Sequence, residues 1–224
     1  MRKFKEILKD KQVKKEAVKK LPSFKTVDFR TPKKIDEKVH GDSDYYGLDS
    51  SRYSKREVTG LELEKHHVLE DHGGHIGHYT IESHHLNSHL FENKGKHEHY
   101  YDKMVSHLDK HLSSHAAHKD FHVYSGLYDK PEAGTYQHHG YMSSSLHPHI
   151  AGGYSRSAAK DPKAGNHILK IHIPKGSKHG AYIARHSEFP DEREFLLGRG
   201  KKFKIHPEPE KHGETHIWHA HIVD

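Results

Sequence analysis

The chain has 224 residues, with 37 Lys and Arg against 31 Asp and Glu. Hydrophobic residues make up 32% and charged residues 30%, with a mean hydropathy of −1.02, so a core forms only if the apolar positions are concentrated. The absence of cysteine excludes disulfides, thiol catalysis and Cys-ligated zinc; no apolar run reaches transmembrane length, and the first residues lack the apolar segment of a secretory signal.

The positive charge is uneven. Residues 1–34 hold 13 Lys/Arg and 4 Asp/Glu, leaving 24 basic and 27 acidic residues for the rest. The sequence pI of 9.1 therefore reports the N-terminal segment, and any nucleic-acid contact is expected only through residues 1–34. In that segment Phe4, Ile7, Leu8, Ala17, Val18 and Leu21 recur at near-helical spacing between lysines. Such a pattern suits either a basic amphipathic helix or a solubilising leader. Residues 22–60 are rich in Pro, Asp, Ser, Lys and Gly and read as a linker. The expected division is a leader and linker over 1–59 and a folded domain over 60–224.

Within the domain, 61–69 and 79–91 are expected as helices, the second with Ile81, Leu86 and Leu90 inward. The helical pattern is clearest over 98–115, where Tyr101, Met104, Val105, Leu108 and Leu112 share one face. After Lys119 the period becomes two. Phe121, Val123 and Ser125 alternate with His122 and Tyr124, and Leu169, Ile171 and Ile173 with Lys170 and His172. Residues 181–184, 194–197 and 202–206 read as short strands, and Trp218, Ala220 and Ile222 alternate with His219 and His221. Helices before strands predict an α+β fold with a mainly antiparallel sheet.

The 29 histidines run from His40 to His221, so they are not a tag. No HExxH or other compact metal pattern is present, and no metal centre is expected. Half-titrating them adds roughly 14 charges near pH 6.5, so the net charge depends strongly on pH. No GxGxxG or P-loop motif supports a nucleotide site of either kind.

Three segments concentrate polar chemistry: Val123-Tyr124-Ser125-Gly126-Leu127, Gly140-Tyr141-Met142-Ser143-Ser144-Ser145-Leu146, and the run from Ser187 to Leu197. In the last, Glu192-x-Glu194 on a strand would place two carboxylates on one face. Such a pair can flank a sugar C1 and stabilise an oxocarbenium ion. A solvated edge strand would carry the same residues.

In order and spacing these segments resemble the mono-ADP-ribosyltransferases of the arginine–serine–glutamate type, the clade of bacterial exotoxins and phage enzymes. That family has aromatic-Arg-Gly on its first strand, then aromatic-x-Ser-Thr-Ser, then Glu-x-Glu. The resemblance covers about residues 60–224. It extends to the helical pattern from Tyr79 through Ser83, Asn87 and Leu90, and to Ile171–Ser177 and Gly180-Ala181-Tyr182. It implies helices followed by a mainly antiparallel two-sheet core. It also implies NAD as co-substrate and transfer of ADP-ribose to an arginine of a target protein, a host protein if the chain is a toxin or phage effector.

The resemblance further implies roles for single residues. Glu194 would stabilise the charge growing at C1 as nicotinamide departs, and Ser143 would contact the ribose and brace that glutamate. Glu192 would engage the acceptor, with Phe189 beside it; a glutamate there suits a guanidinium. Tyr124, Ser125, Gly126, Tyr141, Ser144 and Ser145 would surround NAD. Ser125 stands where the family has arginine, so a substitute cation such as Arg156 or His122 is expected. NAD hydrolysis without an acceptor, and a histidine-rich metal-binding protein without NAD turnover, are the competing functions. Cytoplasmic residence or delivery into a host cell fits the lack of a signal.

Overall fold

A computed structural model of the chain describes residues 58–66, 74–97, 99–158 and 166–223. The basic segment 1–34 and the expected linker up to residue 57 lie outside them.

Helix α1 (Gly60–His66) opens on a reciprocal cap. The Thr59 hydroxyl accepts from the Glu62 N–H at 3.1 Å, and the Thr59 N–H donates to the Glu62 carboxylate at 2.8 Å. That amide, with the Lys119 ammonium at 3.2 Å, pulls the Glu62 carboxyl down to about 2. Helix α2 (His75–Glu92) begins earlier than its apolar pattern predicts and buries Ile76, Tyr79, Leu86 and Leu90. Ile81, expected inward, is 48% exposed. It lies five residues beyond Ile76, about 140° around the helix from that face. After a 3-10 turn at His99–Tyr101, α3 (Asp102–Leu112) buries Val105, Leu108 and Leu112 as its spacing predicts.

The strands are β1 (Phe121–Leu127), β2 (Gly134–Gln137), β3 (Met142–Ser145), β4 (Asn166–Ile173), β5 (Gly180–Tyr182), β6 (Glu194–Leu197), β7 (Lys202–Ile205), β8 (Glu210–His212) and β9 (Thr215–Val223). Between β3 and β4 lies α4 (Pro148–Ala158). The fold is α+β. Hydrogen bonding runs through one path, β2-β7-β9-β4-β1-β3-β6-β5, with β8 on β9. Only β4 and β9 pair in parallel among the described strands. The expected division into two sheets is not made by the hydrogen bonds, but the path narrows between β1 and β3 to the single pair Tyr124–Ser145.

The main apolar cluster draws on both sides of that narrow joint. Phe121, Ile171, Phe203 and Trp218 come from one side, Met142, Phe195 and Leu197 from the other. The Phe121 and Phe195 rings meet edge to face at 5.4 Å. A second cluster packs α2 and α3 on Tyr141, Ala181, Ile183 and Leu196. A third packs Ala151 of α4 on Tyr124, Ile168 and Ile217. Tyr124, on the face of β1 opposite Phe121 and Val123 and expected beside NAD, is buried here by a helix that its own sequence gives no hint of. Among the described residues, no helix is long and apolar enough to cross a membrane.

Candidate active site

Strand β6 begins on Glu194, whose side chain is 5% exposed. The sequence pattern placed Glu192 on the same strand, and the structure corrects this. Glu192 ends a 3-10 turn (Pro190–Glu192), and Arg193 adopts a left-handed conformation with φ 49° before β6 starts. A left-handed residue without glycine is uncommon and ends the extended alternation. The Glu192 carboxylate nevertheless lies close enough for its charge to act on Glu194.

Burial pushes the Glu194 carboxyl up to about 7; the Ser143 hydrogen bond opposes the rise and the charge of Glu192 adds to it. Burial also raises Glu192, and a hydrogen bond from the Tyr154 hydroxyl of α4 partly offsets this. The Tyr154 hydroxyl is itself held well above the ordinary phenol value, by burial first and then by the Glu192 charge.

Ser143 is exposed, and it bonds to Glu194 and to the Tyr79 hydroxyl of α2. Burial, and then the charge of Glu194, hold the Tyr79 proton in place. Asn87, two turns along α2, donates to the Tyr79 hydroxyl at 3.2 Å and to the Tyr141 carbonyl at 2.9 Å. Its side-chain oxygen accepts the Tyr141 N–H at 2.8 Å. The amide thus completes the backbone pairing of Tyr141 where β3 begins. A Cβ at Gly140 would sit 2.5 Å from the Asn87 oxygen, so the clamp requires glycine there.

Asn87→Ala would leave a buried N–H and C=O of Tyr141 unpaired. The expected loss is about 3 kcal/mol, which for a domain of this size lowers Tm by roughly 6–12 °C. Calorimetry checks it, and a shift under about 2 °C would show that the clamp is idle.

The serines after Ser143 serve the strand that carries Glu194. The Ser144 hydroxyl donates to the Phe195 carbonyl, and the Ser145 hydroxyl to the Glu192 carbonyl at 2.7 Å. The Arg193 carbonyl accepts from the Leu146 N–H at 3.3 Å, and the Glu194 carbonyl from the Ile183 N–H at 3.0 Å. The glutamate-bearing turn is fixed from both sides.

Residues 127–220 match the sequence model of the ADP-ribosyltransferase exoenzymes. That region belongs to the ADP-ribosyltransferase exoenzyme family. Members of that family use NAD as co-substrate in ADP-ribosyl transfer. No curated protein sequence matches the chain.

The fold is similar to that of three solved bacterial structures. With the ADP-ribosyltransferase toxin Plx2a from Paenibacillus larvae it shares 18% identity at a TM-score of 0.58, over 79% of this chain and 98% of that one. With a C3 ADP-ribosyltransferase from Clostridium botulinum the values are 18% and 0.60, over 79% and 97%. With a C3 protein from S. aureus, solved with NAD, they are 20% and 0.59, over 79% and 96%.

The fold brings Glu192, Glu194 and Ser143 together. Phe189 sits in the turn before them, half-buried, its N–H bonded to the Ser187 hydroxyl at 2.9 Å. The other expected NAD-contacting residues are placed as follows. The Ser125 hydroxyl donates to the Ser143 carbonyl at 2.9 Å and so ties β1 to β3. The Tyr141 ring is buried against α3, its hydroxyl donating to Asp109 at 2.7 Å. Gly126 faces α4, where a Cβ would lie 2.2 Å from the Ala151 carbonyl oxygen. The Arg156 side chain lies outside the described residues. His122, the other expected substitute cation, is half-buried with its ring 5.3 Å from that of His172. Among the described residues, no three His, Cys, Asp or Glu side chains group as metal ligands.

Tyr79, Asn87 and Tyr154 entered the site only in three dimensions. Tyr79 and Asn87 lie in the helical pattern that resembles the family, but nothing in their spacing gives them a role. Tyr154 sits in a glycine-containing stretch with no helical signal.

Proposed function

We propose that the transferase moves ADP-ribose from NAD to an arginine side chain of a protein, with Glu194 as the charge-stabilising carboxylate. The observation that carries this is the Glu192–Glu194 pair, with Ser143 bonded to one member and Tyr154 to the other. NAD supplies a ribose C1 that becomes strongly positive as its bond to nicotinamide breaks. A buried Glu194 faces that charge without water to screen it, and so stabilises the transition state more than the ground state. Ser143 holds the carboxylate, and Tyr79 holds Ser143.

The pairing electrons of the broken bond leave with neutral nicotinamide. The new bond forms between C1 and a guanidinium nitrogen, whose proton passes to Glu192. A raised carboxyl is a better proton acceptor than an ordinary one, and its charge pairs with a guanidinium before transfer. Arginine rather than an amide acceptor is supported by that charge: a guanidinium pairs with the carboxylate as an ion and in bidentate fashion, whereas a neutral amide offers it only an uncharged hydrogen bond.

Hydrolysis of NAD needs Glu194 but not Glu192. In Glu192→Ala, transfer to arginine-containing acceptors is expected to fall by about 10²-fold or more, while nicotinamide release with water as acceptor stays within about threefold. Tyr154→Phe leaves Glu192 more basic and less oriented, and should shift the same ratio in the same direction. Equal loss of both activities in Glu192→Ala would overturn the division of roles. Transfer to asparagine or another side chain, identified by mass spectrometry of the product, would overturn the acceptor.

A further inference from the structure

We infer that a cavity at the far end of β6 binds a small ligand carrying adjacent phosphate groups. The cavity has a volume of about 460 Å³, within the range of small-molecule sites. It lies between the turn after α2, the C-terminal end of α3, the turn before β5 and the β6–β7 turn. Glu194 opens β6 and Gly198 follows it, so the cavity stands roughly 13 Å along the strand from the glutamate.

Its lining carries Lys94, Lys178, Arg199 and Lys201 against a single carboxylate, Asp109. That carboxylate is already engaged. Arg199 reaches it through Nη2 at 2.8 Å and through Nε at 3.0 Å, and Tyr141 donates to its other oxygen at 2.7 Å. Arg199 also donates to the Gly95 carbonyl, so it is a strut of the wall. The lysines are different. Among the described residues, none of the three makes an ion pair. Lys94 holds a left-handed backbone with φ 52°, beside Gly95 at φ 86°. A lysine in that conformation is uncommon, and it turns the side chain's starting direction away from the helix it follows.

Three lysines without an ion-pair partner among the described residues give this concave space an excess of positive charge. Two or three linked phosphates supply matching charge in one compact ligand, and ammonium groups take phosphate oxygens as point charges. The glycines at 95, 198 and 200 keep the walls low; a Cβ at Gly200 would meet nothing within 4 Å.

The test is calorimetric titration of the full chain with inorganic pyrophosphate, and in parallel with ATP. Glu194→Gln serves as the background, so that NAD can be added without being consumed. Single-site binding is expected, unaffected by saturating NAD, and weakened about tenfold or more by Lys94→Ser, Lys178→Ser and Lys201→Ser combined. Lys178→Glu alone should weaken it as well. Tighter binding of ATP would assign the phosphates to a nucleotide, and equal binding to a free phosphate chain. The site is overturned if neither compound binds at millimolar concentration, if the lysine variants bind as well as the background, or if NAD displaces the ligand.

Discussion

Glu194→Gln is expected to lower nicotinamide release by about 10²–10³-fold, the effect of losing one preorganised charge-stabilising group. The same variant should be more stable than the natural protein above neutral pH. The Glu194 carboxyl stands at about 7 in the folded chain against an ordinary 4.5. Between those two values the folded state keeps a proton that the unfolded state has released. Stability therefore falls as pH rises across that window and stays low above it. The amide has no proton to lose. At pH 8 the variant should gain roughly 3 kcal/mol, or about 6–12 °C in Tm, and at pH 4 it should gain little.

The same ionisation sets the pH profile of the reaction. Only the charged form stabilises the developing cation, so release of nicotinamide should rise with pH and reach half its limit near 7. Calorimetry at both pH values and a pH–rate profile check the two halves. A variant that loses activity without gaining stability at pH 8 would show that Glu194 is solvated in the free protein.

The second large effect is at Gly126. A Cβ there would stand 2.2 Å from the Ala151 carbonyl oxygen and 2.7 Å from the Ser155 nitrogen, both backbone atoms of α4. Backbone cannot rotate aside as a side chain can, so in Gly126→Ala the helix must move away from β1. About 3 kcal/mol of destabilisation is expected, with Tm lower by roughly 6–12 °C. The movement also carries Tyr154 away from Glu192, and separates the Ser155 hydroxyl from the Leu127 carbonyl it meets at 2.8 Å. Transfer should therefore fall more than NAD hydrolysis. If Tm holds and NAD affinity alone falls, the glycine serves NAD directly, as the family resemblance implies, and the helix contact is secondary.

Several elements were legible because their burial repeats locally. Val105, Leu108 and Leu112 mark α3, and Trp218 with Ala220 marks β9, since each set lies on one face of its own element. Others could not be read. Strand β2 is exposed along its whole length, so it carries no apolar alternation. Its place comes from pairing with β7. Helix α4 contains Gly152 and Gly153 and owes its existence to packing on Tyr124, Ile168 and Ile217. In the site, Glu194, Glu192 and Ser143 stood out as motif residues. Tyr79 and Asn87 did not, because their partners are far away in the sequence.

Composition and short-range periodicity encode the α+β order, the excess of basic residues over 1–34 and the carboxylate and serine residues themselves, so these could be read from the residues alone. What those groups can do depends on the assembled fold. The left-handed Arg193 takes Glu192 off the strand. Burial of Glu194 lets its proton go only near neutrality. Ser144, Ser145 and Ser125 become braces. Each outcome turns on which segments meet across the sheet, and on how much water those contacts exclude.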